Sequence, residues 1–101
     1  MMAEFSIVPL GKDTSVSSVI ARVMQVVIDS GIRYKANPMG TVLEGDWSHI
    51  MGVIKRCHDE AMKDASRVVT SIKIDDYAGR LDRLEAKLES VEQKLGQKLN
   101  R

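Results

Sequence analysis

Apolar and polar side chains alternate without interruption from Ile32 to Asn37, the period of a half-buried strand. Thr41 to Glu44 is short and begins with two β-branched residues, so Asn37-Pro38-Met39-Gly40-Thr41 is expected to be the turn of a hairpin. Pro38 fixes its own φ and Gly40 can take φ > 0, which would reverse the chain and present the Asn37 and Thr41 side chains together. Such a segment is either a plain turn or the edge of a ligand site.

The same reasoning orders the rest of the chain. Residues 2–9 read as a strand with Ala3, Phe5 and Ile7 on one face and Glu4, Ser6 and Val8 on the other, ended by Pro9 and Gly11. Asp13, Thr14 and Ser15 are candidate N-caps for a helix whose Val16, Val19, Ile20, Val23 and Val27 share one face and which stops at Gly31. Asp46 is placed to cap a second helix, with Ile50, Val53 or Ile54, Cys57 and Ala61 along its apolar side. Strand periodicity returns from Arg67 to Ile74, with Val68, Thr70, Ile72 and Ile74 opposed to Val69, Ser71, Lys73 and Asp75.

Strand, helix, strand, strand, helix, strand, joined by right-handed crossovers, predicts an α+β, ferredoxin-like β-α-β-β-α-β sandwich. Both helices then lie on one face of a four-stranded antiparallel sheet, and the other face lacks a cover. That face would carry Glu4, Ser6, Val8, Lys35, Asn37, Ser71 and Lys73. In the third strand, either Thr41 with Leu43 or Val42 with Glu44 would point outward. A polar face of this kind is either wet or half of a subunit interface gathered round a small molecule.

The chain divides into residues 1–77, the sandwich, and residues 78–101, an amphipathic segment. Leu81, Leu88 and Leu95 recur every seven residues, with Leu84 and Val91 at the other apolar position. In that register Arg80 and Lys87 fall at g and Glu85 and Glu92 at e, a set that parallel partners could pair. Fewer than three full heptads make an isolated coiled coil marginal, which favours a helix packed on its own subunit and a neighbour.

With 101 residues, one domain has room for a two-layer core but not for an elaborate buried pocket, so a ligand site is expected at a subunit interface. A formal charge of +1 gives no bulk attraction to nucleic acid, and the four aromatic residues are too few for an RNA platform. The single cysteine suits a reducing cytoplasm, and no stretch approaches the roughly 18 apolar residues of a membrane span. A cytoplasmic protein without membrane or nucleic-acid partners is expected.

Residues that suggest catalysis lack the spacing for it. Cys57 and His58 are adjacent on a helix and point about 100° apart, which prevents a nucleophile and base pair. His49 and His58 lack the spacing of a metal pair. Asp75-Asp76 ends a strand and is expected to cap or solvate it. Trp47 is expected to staple its helix to the sheet. No catalytic residue, metal ligand or cofactor is expected.

Three segments carry a resemblance: Glu4 to Gly11, Asn37 to Gly45 and Val68 to Asp76. Their order and spacing resemble the thiamine-binding protein family of the YkoF-like superfamily. The resemblance implies a ferredoxin-like domain with an added C-terminal helix, assembled as dimers and commonly tetramers. It also implies binding of thiamine through its aminopyrimidine half, or of its hydroxymethylpyrimidine moiety, without catalysis. Carried onto this chain, Asn37 and Thr41 in the matching turn and Ser6, Ser71 and Lys73 in the matching strands become candidate ligand contacts. Glu4 or Glu44 could receive the exocyclic amine or offset the thiazolium charge, and Met39 could pack on a ring. Each has a structural alternative in strand hydrogen bonds or cross-strand ion pairs with Lys35 and Lys73. A different class of function also remains open, an interaction protein that recruits partners through the C-terminal heptads.

Overall fold

Alternation in the first strand sets the layers. In a computed structural model, which describes residues 1–11 and 15–101, β1 spans Met2–Leu10 and buries Ala3, Phe5 and Ile7 while Glu4 and Val8 remain exposed. The remaining elements are α1 (Val16–Ser30), β2 (Arg33–Asn37), β3 (Gly40–Glu44), α2 (Trp47–Met62), β4 (Arg67–Asp75) and α3 (Arg83–Leu95). The strands form one antiparallel sheet in the order β2-β3-β1-β4. This is the ferredoxin-like arrangement, with α3 added at the end.

Burial holds α1 and α2 on one face. Val19, Val23 and Val27 of α1 and Ile50, Val53, Ile54, Cys57 and Ala61 of α2 close over Phe5, Ile7 and Leu43 in one continuous core. β-Branched residues form a poor isolated helix, so α1 owes its stability to this packing. Ser15 caps α1 by accepting from Ser18 N, while the candidate caps Asp13 and Thr14 lie outside the described residues. Gly31 ends the helix at φ 72, a conformation that other residues reach only with strain. Asp46 caps α2, accepting from His49 N at 2.7 Å.

Several expectations give way. Pro9 does not end β1; it pairs with Val68 inside the strand. β3 reaches only Met2 to Phe5, so Pro9 has a neighbour on one side alone, where a missing donor is tolerated. Alternation in β2 does not bring half-burial, because β2 is an edge strand and only the preceding Ile32 enters the core; Tyr34 is 38% exposed. Trp47 does not staple α2 to the sheet, being 56% exposed at its first position. Gly40 does not take a positive φ either. Its Cβ would stand 2.9 Å from the Phe5 carbonyl oxygen, so close approach to β1 is what requires glycine there.

The open choice in β3 resolves with Thr41 and Leu43 toward the helices. Leu43→Ala is therefore expected to cost roughly 2–5 kcal/mol of unfolding free energy, against a small fraction of that for Val42→Ala on the opposite face. Urea unfolding of the two variants checks the assignment.

Candidate functional site

The outward face is ordered in rows by strand register. Arg33, Glu44, Met2 and Asp75 make one row across all four strands, and Lys35, Val42, Glu4 and Lys73 make the next. Beyond them Ser6 stands directly opposite Ser71 on β4.

Between β1 and β4, Glu4, Ser6, Ser71 and Lys73 line a groove of about 120 Å³, completed by Phe5 and Ile72. Four of the eight ligand candidates thus converge. The set offers a carboxylate acceptor, an ammonium donor and two hydroxyls able to act either way, which suits a planar heterocycle with mixed donors and acceptors. Glu4 faces Lys73 across the strand pair without forming an ion pair with it. Both groups keep their hydrogen-bonding capacity.

The other four candidates are placed elsewhere. Asn37 pairs with Gly40 and Ala36 with Thr41, so Asn37 and Thr41 point to opposite faces and the expected joint presentation fails. Thr41 is buried beneath α1, donating to Met24 Sδ at 3.4 Å. Asn37 Oδ1 accepts from Met39 N at 3.0 Å, closing its own turn. Its strand is also two positions from β1, roughly 10 Å by strand spacing. Met39 is 84% exposed at the hairpin tip.

Glu44 has a different duty. Asp82, at the start of α3, adopts φ 56 and gives that helix no side-chain cap. Glu44 supplies the acceptor instead, its Oε2 taking the hydrogen bond of Arg83 N at 2.6 Å from β3. Asp75 at the other end of the row binds Arg83 Nη2 at 3.0 Å and Lys87 Nζ at 3.2 Å. The hydrogen bond from Arg83 chiefly, then that from Lys87, holds the Asp75 carboxyl below its ordinary value. Tyr77 lies under Arg80 and Arg83, with ring distances of 5.0 and 5.1 Å. One end of the face expected to be uncovered therefore carries the start of α3, and Leu84 is buried there.

This docking also displaces the heptad scheme. Leu81 precedes the helix and is 80% exposed. Three of the four charges expected to pair between parallel partners pair inside the chain: Lys87 with Asp75, Glu85 with Lys35 and Arg101, and Glu92 with Arg101. Sequence reading missed this strap because its partners lie far apart along the chain. The signal present was an acidic strand end at Asp75 followed by Arg83 and Lys87.

Cys57 is buried, with Sγ donating to Val23 O at 3.6 Å, and burial pushes its thiol up to about 11. His58 turns away from it to meet Thr70 Oγ1 at 2.6 Å, tying α2 to β4. Nothing in this geometry makes Cys57 a nucleophile.

Comparison with known proteins agrees with the fold. The model of a family described as thiamine-binding protein matches residues 3–92. UPF0045 protein MJ1052 of Methanocaldococcus jannaschii is 38% identical over 91 residues, covering 90% of this chain and 91% of that protein. UPF0045 protein YqgV of Bacillus subtilis is 36% identical, covering 93% and 96%. The crystal structure of MJ1052 superposes with a TM-score of 0.82, covering 91% of this chain and 95% of the other. A Thermotoga maritima structure, TM0486, named as a candidate thiamine biosynthesis/salvage protein, is 27% identical with a TM-score of 0.78, covering 89% and 96%.

The α3 contacts generate a pH dependence. Asp75 has a folded-state pKa below its ordinary 3.8, so the folded chain binds fewer protons than the unfolded one in that range. Its contribution is present above pH 3.8 and lost as pH falls through the lowered value. Acid titration followed by the NMR signals of Leu84 is expected to show α3 loosening below that pH, and Asp75→Asn to show the loosened state already at neutral pH.

Proposed function

The chain belongs to the thiamine-binding protein family, and from that premise we propose that it binds thiamine, or the hydroxymethylpyrimidine moiety, at the groove between β1 and β4 without catalysing a reaction on it. The observation that carries this reading is the convergence of Glu4, Ser6, Ser71 and Lys73 on one groove. Glu4 would accept from an exocyclic amine, and the two serines would serve ring nitrogens as donors or acceptors. The buried, protonated Cys57 supports a binding role over nucleophilic chemistry.

A groove of about 120 Å³ is smaller than the roughly 300–1,000 Å³ that encloses a drug-sized ligand. A homo-oligomer would complete it. β4 is a nine-residue edge strand beside the groove, and it is self-complementary. Antiparallel pairing of two copies about Ser71 would set Arg67 opposite Asp75 of the partner subunit, and Val68 opposite Ile74 of the partner subunit. The unit would be a dimer, or a tetramer built from two of them. The free thiol fits a reducing cytoplasm.

A thermal-shift titration with thiamine and hydroxymethylpyrimidine tests the reading. Ligand at 100 times its dissociation constant adds about 2.7 kcal/mol, a shift of roughly ten degrees or more for a domain of this size. Ser71→Ala is expected to weaken the response, and Asn37→Ala to leave it, since the Asn37 oxygen is engaged in its own turn. No shift at millimolar ligand would contradict the proposal.

A further inference from the structure

A second and larger concavity, of about 490 Å³, opens where the end of the sheet meets the start of α2 and the segment leading into α3. It shares no lining residue with the groove between β1 and β4. We propose that this cleft binds a small organic cation carrying a flat ring, an aryl amidine or aryl ammonium in chemical class, between the Trp47 indole and the carboxylates of Asp76 and Asp82.

The volume lies within the range of sites that enclose small molecules. The lining is acidic, with Glu44, Asp46, Asp76 and Asp82 set against Arg33. Asp46 is spent at the N-terminus of α2, where it answers the positive end of the helix. Asp76, by contrast, takes part in no ion pair among the described residues. It is free to meet a cation.

Apolar surface stands beside these charges. Trp47 and Leu81, 56% and 80% exposed, line the same cleft. A ring placed on the indole would bury both, and a positive charge over an indole face gains an attraction that a neutral isostere lacks.

A buried acceptor points the same way. Glu44 is 9% exposed, and its Oε1 receives no hydrogen bond. Arg33 Nη1 lies 3.0 Å from it but directs its hydrogen bond to Asp82 Oδ1 at 2.7 Å. A ligand cation that takes over Asp82 releases Arg33 to donate to Glu44 Oε1. Binding thereby gives the Glu44 oxygen, already ion-paired with Arg33, the directed hydrogen bond it lacks, which offsets the loss of the Arg33–Asp82 contact.

Trp47 is the sole tryptophan of the chain, so its emission reports on this cleft alone. The full-length protein would be titrated with benzamidine and, separately, with benzamide, its uncharged counterpart of the same shape. The expected result is a saturable change in emission with benzamidine and binding of benzamide about tenfold weaker. Asp76→Asn, with an unchanged thermal midpoint, is expected to weaken benzamidine roughly twofold to fivefold, the range of an exposed charge pair. Equal responses to the two probes, no saturable response, or indifference to Asp76→Asn would each overturn the proposal. So would an emission spectrum that shifts with protein concentration before any probe is added, because a second copy of the chain would then cover the cleft.

Discussion

Burial of Ala3, Phe5 and Ile7 against the helices is the constraint on which the rest of the structure depends. Because β1 is a central strand paired on both sides, its facing decides the facing of β3 and β4. Side chains alternate with period two, so sending Phe5 inward sends Glu4 and Ser6 outward, and register then brings Lys73 and Ser71 beside them. A slip of one residue would exchange the core for the groove. Stability and the placement of the polar site are therefore one property of the strand.

The outward face is shared between two tasks. Its end row, Glu44 and Asp75 in particular, receives the first turn of α3, whose own Asp82 gives it no side-chain cap. The carboxylates there act as structural acceptors, and Met2 in the same row is buried. One row further along, Glu4 and Lys73 have no such employment. Chemically similar residues on one face thus divide into a helix anchor and an open polar groove, and the division follows from where α3 lands.

The fold was legible because each element carried its own local signal. The strand alternation of β1 and β4, the apolar stripe of α2, the caps at Ser15 and Asp46 and the stop at Gly31 all agree with the structure. The site was half legible. Glu4, Ser6, Ser71 and Lys73 could be placed on one face from periodicity alone. Thr41 could not, since Thr41-Val42-Leu43-Glu44 offers no contrast that tells its two faces apart. Edge effects were invisible for a related reason: Tyr34 alternates as a core residue does, but on the edge strand it stays 38% exposed. The hold of Glu44 on Arg83 spans 39 residues and has no local sequence signature.

The family match, the converging side chains and the open edge beside them support one account, in which the exposed half of the β1–β4 ladder receives an aminopyrimidine. Amide NMR of the labelled protein during addition of thiamine tests it most directly. The account predicts saturable shifts centred on Glu4, Ser6, Ser71 and Lys73. Saturable shifts confined to the Asn37 turn, or to residues around Trp47, with those four unmoved, would contradict it.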